Sequence, residues 1–272
     1  MRYFFLILFF TFFTYSLKAA QTFHIIGARA LSMGGISLLP EGFWSVFNNQ
    51  AGLSSINTFG VGIAYNSHFG IDKNLSLKSA AFVIPTNSGT FGLTINYFGY
   101  SAFHQQKLGL AFGKSLGDVL SMGIQIDYLS TVIGNDYGKA NAFTFEIGIL
   151  AKINPSLQIA AHLYNPFMVK LGKVFQEITA AVFSFSTAYH LDSDILILAE
   201  FEQRSLSPGI LKLGMEYQLI ETIFIRAGLA TKPQLFSFGI GLIINGINLD
   251  IGSSYHQILG FSPNVSMHYM IK

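Results

Sequence analysis

Three residues near the C-terminal end have types that could do chemistry together: Asp250, Ser254 and His256. An acid, a hydroxyl and an imidazole form a hydrolase site when the base lies within hydrogen-bond reach of the nucleophile. Their spacing argues against it. Steps of two and four put all three on one face of one strand, where neighbouring side chains stand side by side without nucleophile–base geometry. They read as polar side chains of a wet face. The seven histidines, His24, His68, His104, His162, His190, His256 and His268, show no His-Glu-x-x-His spacing, and neither a Gly-Lys-Ser/Thr phosphate loop nor a dinucleotide fingerprint occurs. Cysteine is absent, which excludes disulfides, thiolate metal sites and a cysteine nucleophile. No catalytic residue, metal site or cofactor is expected, and no Lys/Arg cluster suggests nucleic acid.

The elements that position these residues are strands. From about Phe59 to Ile271, apolar residues recur at every second position between turns, a period that lines one face of a strand. Leu211, Leu213, Met215, Tyr217 and Leu219 alternate with Lys212, Gly214, Glu216 and Gln218. Charged residues make up only 11% of the 272, against roughly 25% in an average soluble protein. A soluble protein so poor in charge would have an adhesive surface. The chain opens with Arg2, an apolar stretch to about Tyr15 and then Ser16-Leu17-Lys18-Ala19-Ala20, the pattern of a signal peptide (residues 1–20) cut near Ala19 or Ala20. A membrane helix is the alternative, but the stretch falls short of the roughly 20 residues needed to span. Export, strand alternation and no disulfides together point to the bacterial outer membrane and its lipid.

About fourteen strands are expected, starting near Phe59, Leu77, Phe91, Lys107, Val119, Ala142, Leu157, Ile178, Ile195, Leu211, Ile223, Leu235, Ile247 and Asn264. Tight connections such as Asn154-Pro155-Ser156 and Asn245-Gly246 belong on the periplasmic side. Those around 67–74, 99–104, 132–138, 164–177, 203–209 and 256–263 are mostly longer and belong outside. The expected fold is therefore an all-β transmembrane antiparallel barrel over residues 58–272. A secreted β-sandwich would also alternate, but its outer face would be polar, and here the outward set is apolar.

A sheet of about fourteen strands closes to a backbone radius of roughly 14 Å, too wide for wall side chains alone to fill. Residues 21–57 lack alternation and are read as an N-terminal plug in the lumen, with a periplasmic arm as the alternative. They carry Gly27-Ala28-Arg29, then Met33-Gly34-Gly35, and later Asn48-Asn49-Gln50-Ala51-Gly52-Leu53. This series resembles the N-terminal signature of FadL-like outer-membrane barrels, particularly the PorV/PorQ-like branch of Bacteroidetes. Tyr189 to Leu196 is similar to a strand-turn-strand of that branch. The family pattern has Asn-Pro-Ala-Gly, whereas this chain has Gln50 in place of the proline.

The resemblance implies one of two roles. FadL relatives admit hydrophobic molecules, whereas PorV-like relatives partner a type IX secretion translocon. Alternation turns Asn96, Lys107, Gln125, Asp127, Glu146, Gln158, His162, Glu200, Glu202, Lys212, Glu216, Arg226, Asp250, His256 and His268 inward. Charges there are expected to pair with each other, with water or with Arg29. So polar a lumen favours a closed, non-enzymatic barrel that joins a larger outer-membrane protein export or assembly machine. A passive channel for a small hydrophobic ligand and a purely structural barrel are the alternatives. Phe167, Met168, Leu259 and Phe261 are apolar where outer loops are expected, and could serve as a contact surface or as a cap over the mouth.

Overall fold

The computed structural model describes residues 24–39, 41–68, 70, 74–134, 138–171, 177–205 and 207–271. The expected signal peptide lies outside them. Alternation builds β1 (Gly60–Ser67), β2 (Ser76–Thr86), β3 (Gly89–Tyr100), β4 (Phe103–Leu116), β5 (Leu120–Ile133), β6 (Gly138–Lys152) and β7 (Leu157–Tyr164). A two-residue pair, β8 (Lys170–Leu171) and β9 (Glu177–Ile178), interrupts the run. It resumes with β10 (Val182–His190), β11 (Ile195–Arg204), β12 (Ile210–Ile220), β13 (Ile223–Thr231), β14 (Gln234–Ile244), β15 (Ile247–His256) and β16 (Gly260–Met270). All but β8 and β9 form one closed antiparallel barrel, in which β16 pairs with β1 from Gly60↔Met270 to Asn66↔Asn264. The fourteen strands expected from the sequence are present.

The two faces differ in chemistry as the alternation requires. Along β12, Leu211, Leu213, Met215 and Tyr217 are exposed, while Lys212, Gly214 and Glu216 are buried. The same rule exposes Leu108 and Leu110 on β4, Ile124 and Ile126 on β5 and Phe236 and Phe238 on β14. An apolar band around a closed sheet is stable only in lipid, and closure leaves no strand edge unpaired there. The protein is a transmembrane β-barrel of the bacterial outer-membrane type. At Asn245-Gly246 both residues have positive φ, 50° and 82°, a two-residue turn whose twist matches the flanking strands.

Three expectations about connections are corrected. The strand expected from Ile178 enters the barrel only at Val182, because Glu177–Ile178 pairs with Lys170–Leu171 instead. Strands β4, β6 and β16 begin at Phe103, Gly138 and Gly260, so the connections at 99–104, 132–138 and 256–263 are shorter than proposed. Polar pairs such as Gln105↔Thr131 and Gln106↔Ser130 continue the β4–β5 ladder where apolar alternation has faded. Phe261 is a strand residue, packed against Tyr255 and Phe238 on the outward face.

Residues ahead of β1 lie against the buried face of the wall. They form α1 (Ala28–Ser32), α2 (Ser45–Asn48) and a 3₁₀ turn (Gln50–Ser55). The first packs on β13–β16 and the last on β3–β6. Phe43, Trp44, Val46, Phe47 and Leu53 join Ala81, Val83 and Ala111 of the wall in one apolar cluster. Backbone meets backbone at rows of paired glycines. Gly113, Gly123 and Gly148 are successive cross-strand partners facing Asn49–Ala51, and the pairs Gly214↔Gly228 and Gly239↔Gly252 face Ser32–Gly34. A Cβ at Gly228 would collide with the backbone of Met33 and Gly34.

Gly228→Val is therefore expected to leave the barrel closed but expel this stretch, at a cost of about 1–3 kcal/mol. Limited proteolysis should then cut within residues 27–53, and resistance equal to wild type would show that the glycine row does not seat them.

Candidate functional site

The lumen is organised around three charge clusters, each built from inward positions of nearby strands and each bonded to the N-terminal segment. In the first, Arg29 of α1 donates Nε and Nη2 to the Glu216 carboxylate at 2.8 and 2.7 Å and Nη1 to the Glu41 carbonyl at 3.2 Å. Glu216 also accepts from Arg226 Nε at 2.5 Å, and Arg226 Nη1 donates to Asp250 at 2.7 Å. The chain Arg29, Glu216, Arg226, Asp250 thus alternates in sign. Gly241, the cross-strand partner of Asp250, leaves the room that the Arg226 guanidinium occupies.

In the second cluster Glu200 accepts from the backbone N–H groups of Ser37 and Leu38 at 2.8 and 2.9 Å and from Lys212 Nζ at 2.7 Å. Lys212 also donates to Glu202 at 2.6 Å and to the Gly35 carbonyl at 2.8 Å, and Arg204 donates to Glu202 at 2.6 Å. One carboxylate thereby satisfies two backbone donors that burial would otherwise leave unpaired. In the third, Lys107 lies 2.6 Å from Glu146 and 3.7 Å from Asp127, with its Nζ 5.3 Å from the Tyr164 ring centre. His162 lies 3.0 Å from Glu146, and Gln125 donates to Asp127 at 2.8 Å. Gln50 enters this cluster, donating to Glu146 at 2.9 Å. Gln50 is fully buried and bonded to the wall. Nothing in the sequence marked it, or Ser37, as a contact. The available signal was the inward glycines that fall opposite one another on neighbouring strands.

The remaining residues of the N-terminal motif shape the segment itself. Gly27 has φ 101° and lies against the Trp44 indole, where any side chain would collide. The Ala28 N–H donates to Ser266 at 2.9 Å, and Met33 is fully buried. Gly34 and Gly35 turn the chain with φ near 70°. Asn48 pairs with both backbone groups of Ile26. Asn49 accepts from the Ala51 N–H and donates to the Ile149 carbonyl, while the Gly52 N–H donates to the Asn49 carbonyl.

Asp127, Glu146, Glu200, Glu202, Glu216, Arg226 and Asp250 are all buried within these clusters. His256 is not beside them as a base. Its Nδ1 accepts from the N–H groups of Ile258 and Leu259 and closes the turn after β15. Among the described residues, no group of three His, Asp or Glu could hold a metal. At the long-loop end Phe167 is 75% exposed, with Met168 and Leu259 also exposed. Near the same end the rings of His24, His68 and Phe98 pack against one another. Burial, then His68, Lys107 and Arg204, push the His24 imidazole down to about 3. Burial likewise lowers His68. Burial opposes the charge of Arg29, but Glu216, Asp250 and Glu41 outweigh it and raise its pKa.

No protein-family model matches the chain, and no curated protein resembles it in sequence. Solved structures do resemble it in backbone. The toluene transporter TbuX of Ralstonia pickettii superposes with a TM-score of 0.68 at 12% identity, over 92% of this chain and 99% of that one. The toluene transporter TodX of Pseudomonas putida gives 0.71 at 10%, over 92% and 99%. A FadL homologue from Pseudomonas aeruginosa gives 0.66 at 12%, over 90% and 98%. At such identities the likeness concerns the fold, which is that of FadL-like barrels.

Two outcomes are expected of these contacts. Glu200→Ala strands the Ser37 and Leu38 amides and should cost about 3–5 kcal/mol, read as cleavage of the segment by protease while the barrel stays folded. A docked His24 titrating near 3, against 6.5 when released, holds fewer protons than the released state at intermediate pH. Docking of this end should therefore weaken as pH falls from about 6.5 toward 3, and a fluorophore at residue 24's neighbour Ile25 should report it. His24→Phe should flatten that dependence.

Proposed function

We propose that this protein is a passive outer-membrane channel for small hydrophobic molecules, held closed at rest by residues 21–57 acting as a plug. The observation that carries the reading is the way this segment sits in the wall. Three wall carboxylates, Glu216, Glu200 and Glu146, bond it at separate points, and between them it packs on glycines and on apolar wall residues such as Ala81, Val83 and Leu198. Such an attachment can be released without unfolding a strand. The backbone likeness to two toluene transporters supports the same reading and suggests a solute of monoaromatic size. In this account the mature chain begins after the signal peptide of residues 1–20, and the clusters around Asp127, Glu202 and Asp250 keep the wall closed and charge-balanced.

A second reading has its own observation. Phe167 and Ile258 are 75% and 88% exposed at the long-loop end, where water rather than lipid is the neighbour. They fit an accessory subunit of a larger outer-membrane export complex of the PorV/PorQ, type IX secretion kind, to which the N-terminal motif is similar. The two readings separate in a deletion strain. The channel reading expects initial toluene uptake to fall severalfold, with the secreted and surface proteomes unchanged. A depleted surface proteome with unaltered uptake would replace it with the accessory reading.

A further inference from the structure

A cavity of about 250 Å³ lies between the N-terminal segment and the wall of β12–β16, beside the tight turns at 221–222 and 245–246. Its apolar walls include Leu39, Phe43, Phe224 and Ile243, and its polar side is the Arg29–Glu216–Arg226–Asp250 chain. Two arginines balance two carboxylates, and Glu41, which also lines the cavity, is paired with Lys152, so no charge is left to be neutralised by a ligand. It does have both kinds of polar group, the partly exposed Arg29 guanidinium as donor and the Asp250 carboxylate as acceptor. On the same wall, Trp44 Nε1 and Ser45 Oγ are buried without a hydrogen-bond partner in the protein.

We propose that this cavity binds small uncharged ring compounds that carry one hydroxyl group. A hydroxyl donates and accepts at once, which matches Asp250 on one side and Arg29 on the other, while the ring lies on Phe43, Phe224 and Ile243. A carboxylate or ammonium would unbalance a paired quartet in a place where unpaired charge is costly. A hydrocarbon of equal size would take the apolar walls but offer no bond to the spare sites of Arg29 and Asp250 or to the unpartnered Trp44 Nε1 and Ser45 Oγ, and sites with polar groups to satisfy discriminate most strongly between isosteres. The volume is below the range of drug-sized sites and suits a single ring. The proposal goes beyond the channel reading, since the site binds its ligand whether or not any solute crosses the membrane.

Trp44 is the chain's single tryptophan, so its indole N–H gives one resonance that reports directly on this wall. In the full-length protein in detergent, cyclohexanol should move that resonance saturably, and methylcyclohexane, its near isostere, should not. Asp250→Asn should weaken the cyclohexanol response roughly tenfold, the effect of losing a hydrogen bond to a charged group. Ile243→Phe, which fills the cavity from its apolar side, should abolish the response and serves if the Asp250 variant does not fold. No saturable shift, an equal shift with methylcyclohexane, or full affinity in a folded Ile243→Phe barrel would overturn the proposal. Unchanged toluene uptake in a deletion strain would remove the channel reading and leave this binding untouched.

Discussion

A closed sheet whose outer face is in lipid can hold charges within the membrane only in the lumen, and the packing of this protein's interior answers to that constraint. Charge is scarce in the chain, and much of it is spent inside, at Lys107, Asp127, Glu146, Glu200, Glu202, Lys212, Glu216, Arg226 and Asp250. Buried charges are tolerated only when paired and hydrogen-bonded. The register supplies the pairs. Glu200 faces Lys212 and Glu216 faces Arg226 as direct cross-strand neighbours, and Gln125 faces Glu146 in the same way.

Pairing within the wall leaves acceptors over, and the N-terminal segment uses them. Glu200 holds two backbone amides, Glu216 holds Arg29, and Glu146 holds Gln50. Between these points apolar side chains pack on the wall, and at the glycine rows the contact is backbone on backbone. Glycine therefore has two uses on the inward face. Gly214, Gly228 and Gly123 admit the segment, while Gly109 and Gly241 make room for the ion pairs themselves. Ring packing of Phe43 on His268 and Trp44 against Phe47 fills the short-turn end.

The segment is held to the wall by two kinds of contact. The apolar cluster of Phe43, Trp44 and Leu53 anchors the part of the segment that leads into β1. The part before it combines charge and glycine contacts with its own apolar packing, of Ala30, Met33 and Ile36 on Ala188, Leu196 and Leu198. Ion pairs in such a setting fix geometry more than they add stability.

The apolar alternation by itself determined the strand number, the inward and outward faces, and the membrane, because a period of two with an oily side has one stable solution in a closed sheet. It also turned Asp127, Glu200 and Asp250 to the side where burial finds them. Boundaries were less legible where polar residues such as Gln105, Gln106 and Ser130 pair in the ladder without alternating in hydropathy. The strand expected from Ile178 begins later, at Val182, for a related reason, since a short local pair takes Glu177 and Ile178. Only the tertiary structure decided which charge meets which and where Gln50, Ser37 and Arg29 attach. Those pairings depend on register across strands far apart in sequence, and on glycines whose meaning lies in what they leave empty. Periodicity along one strand carries no record of either.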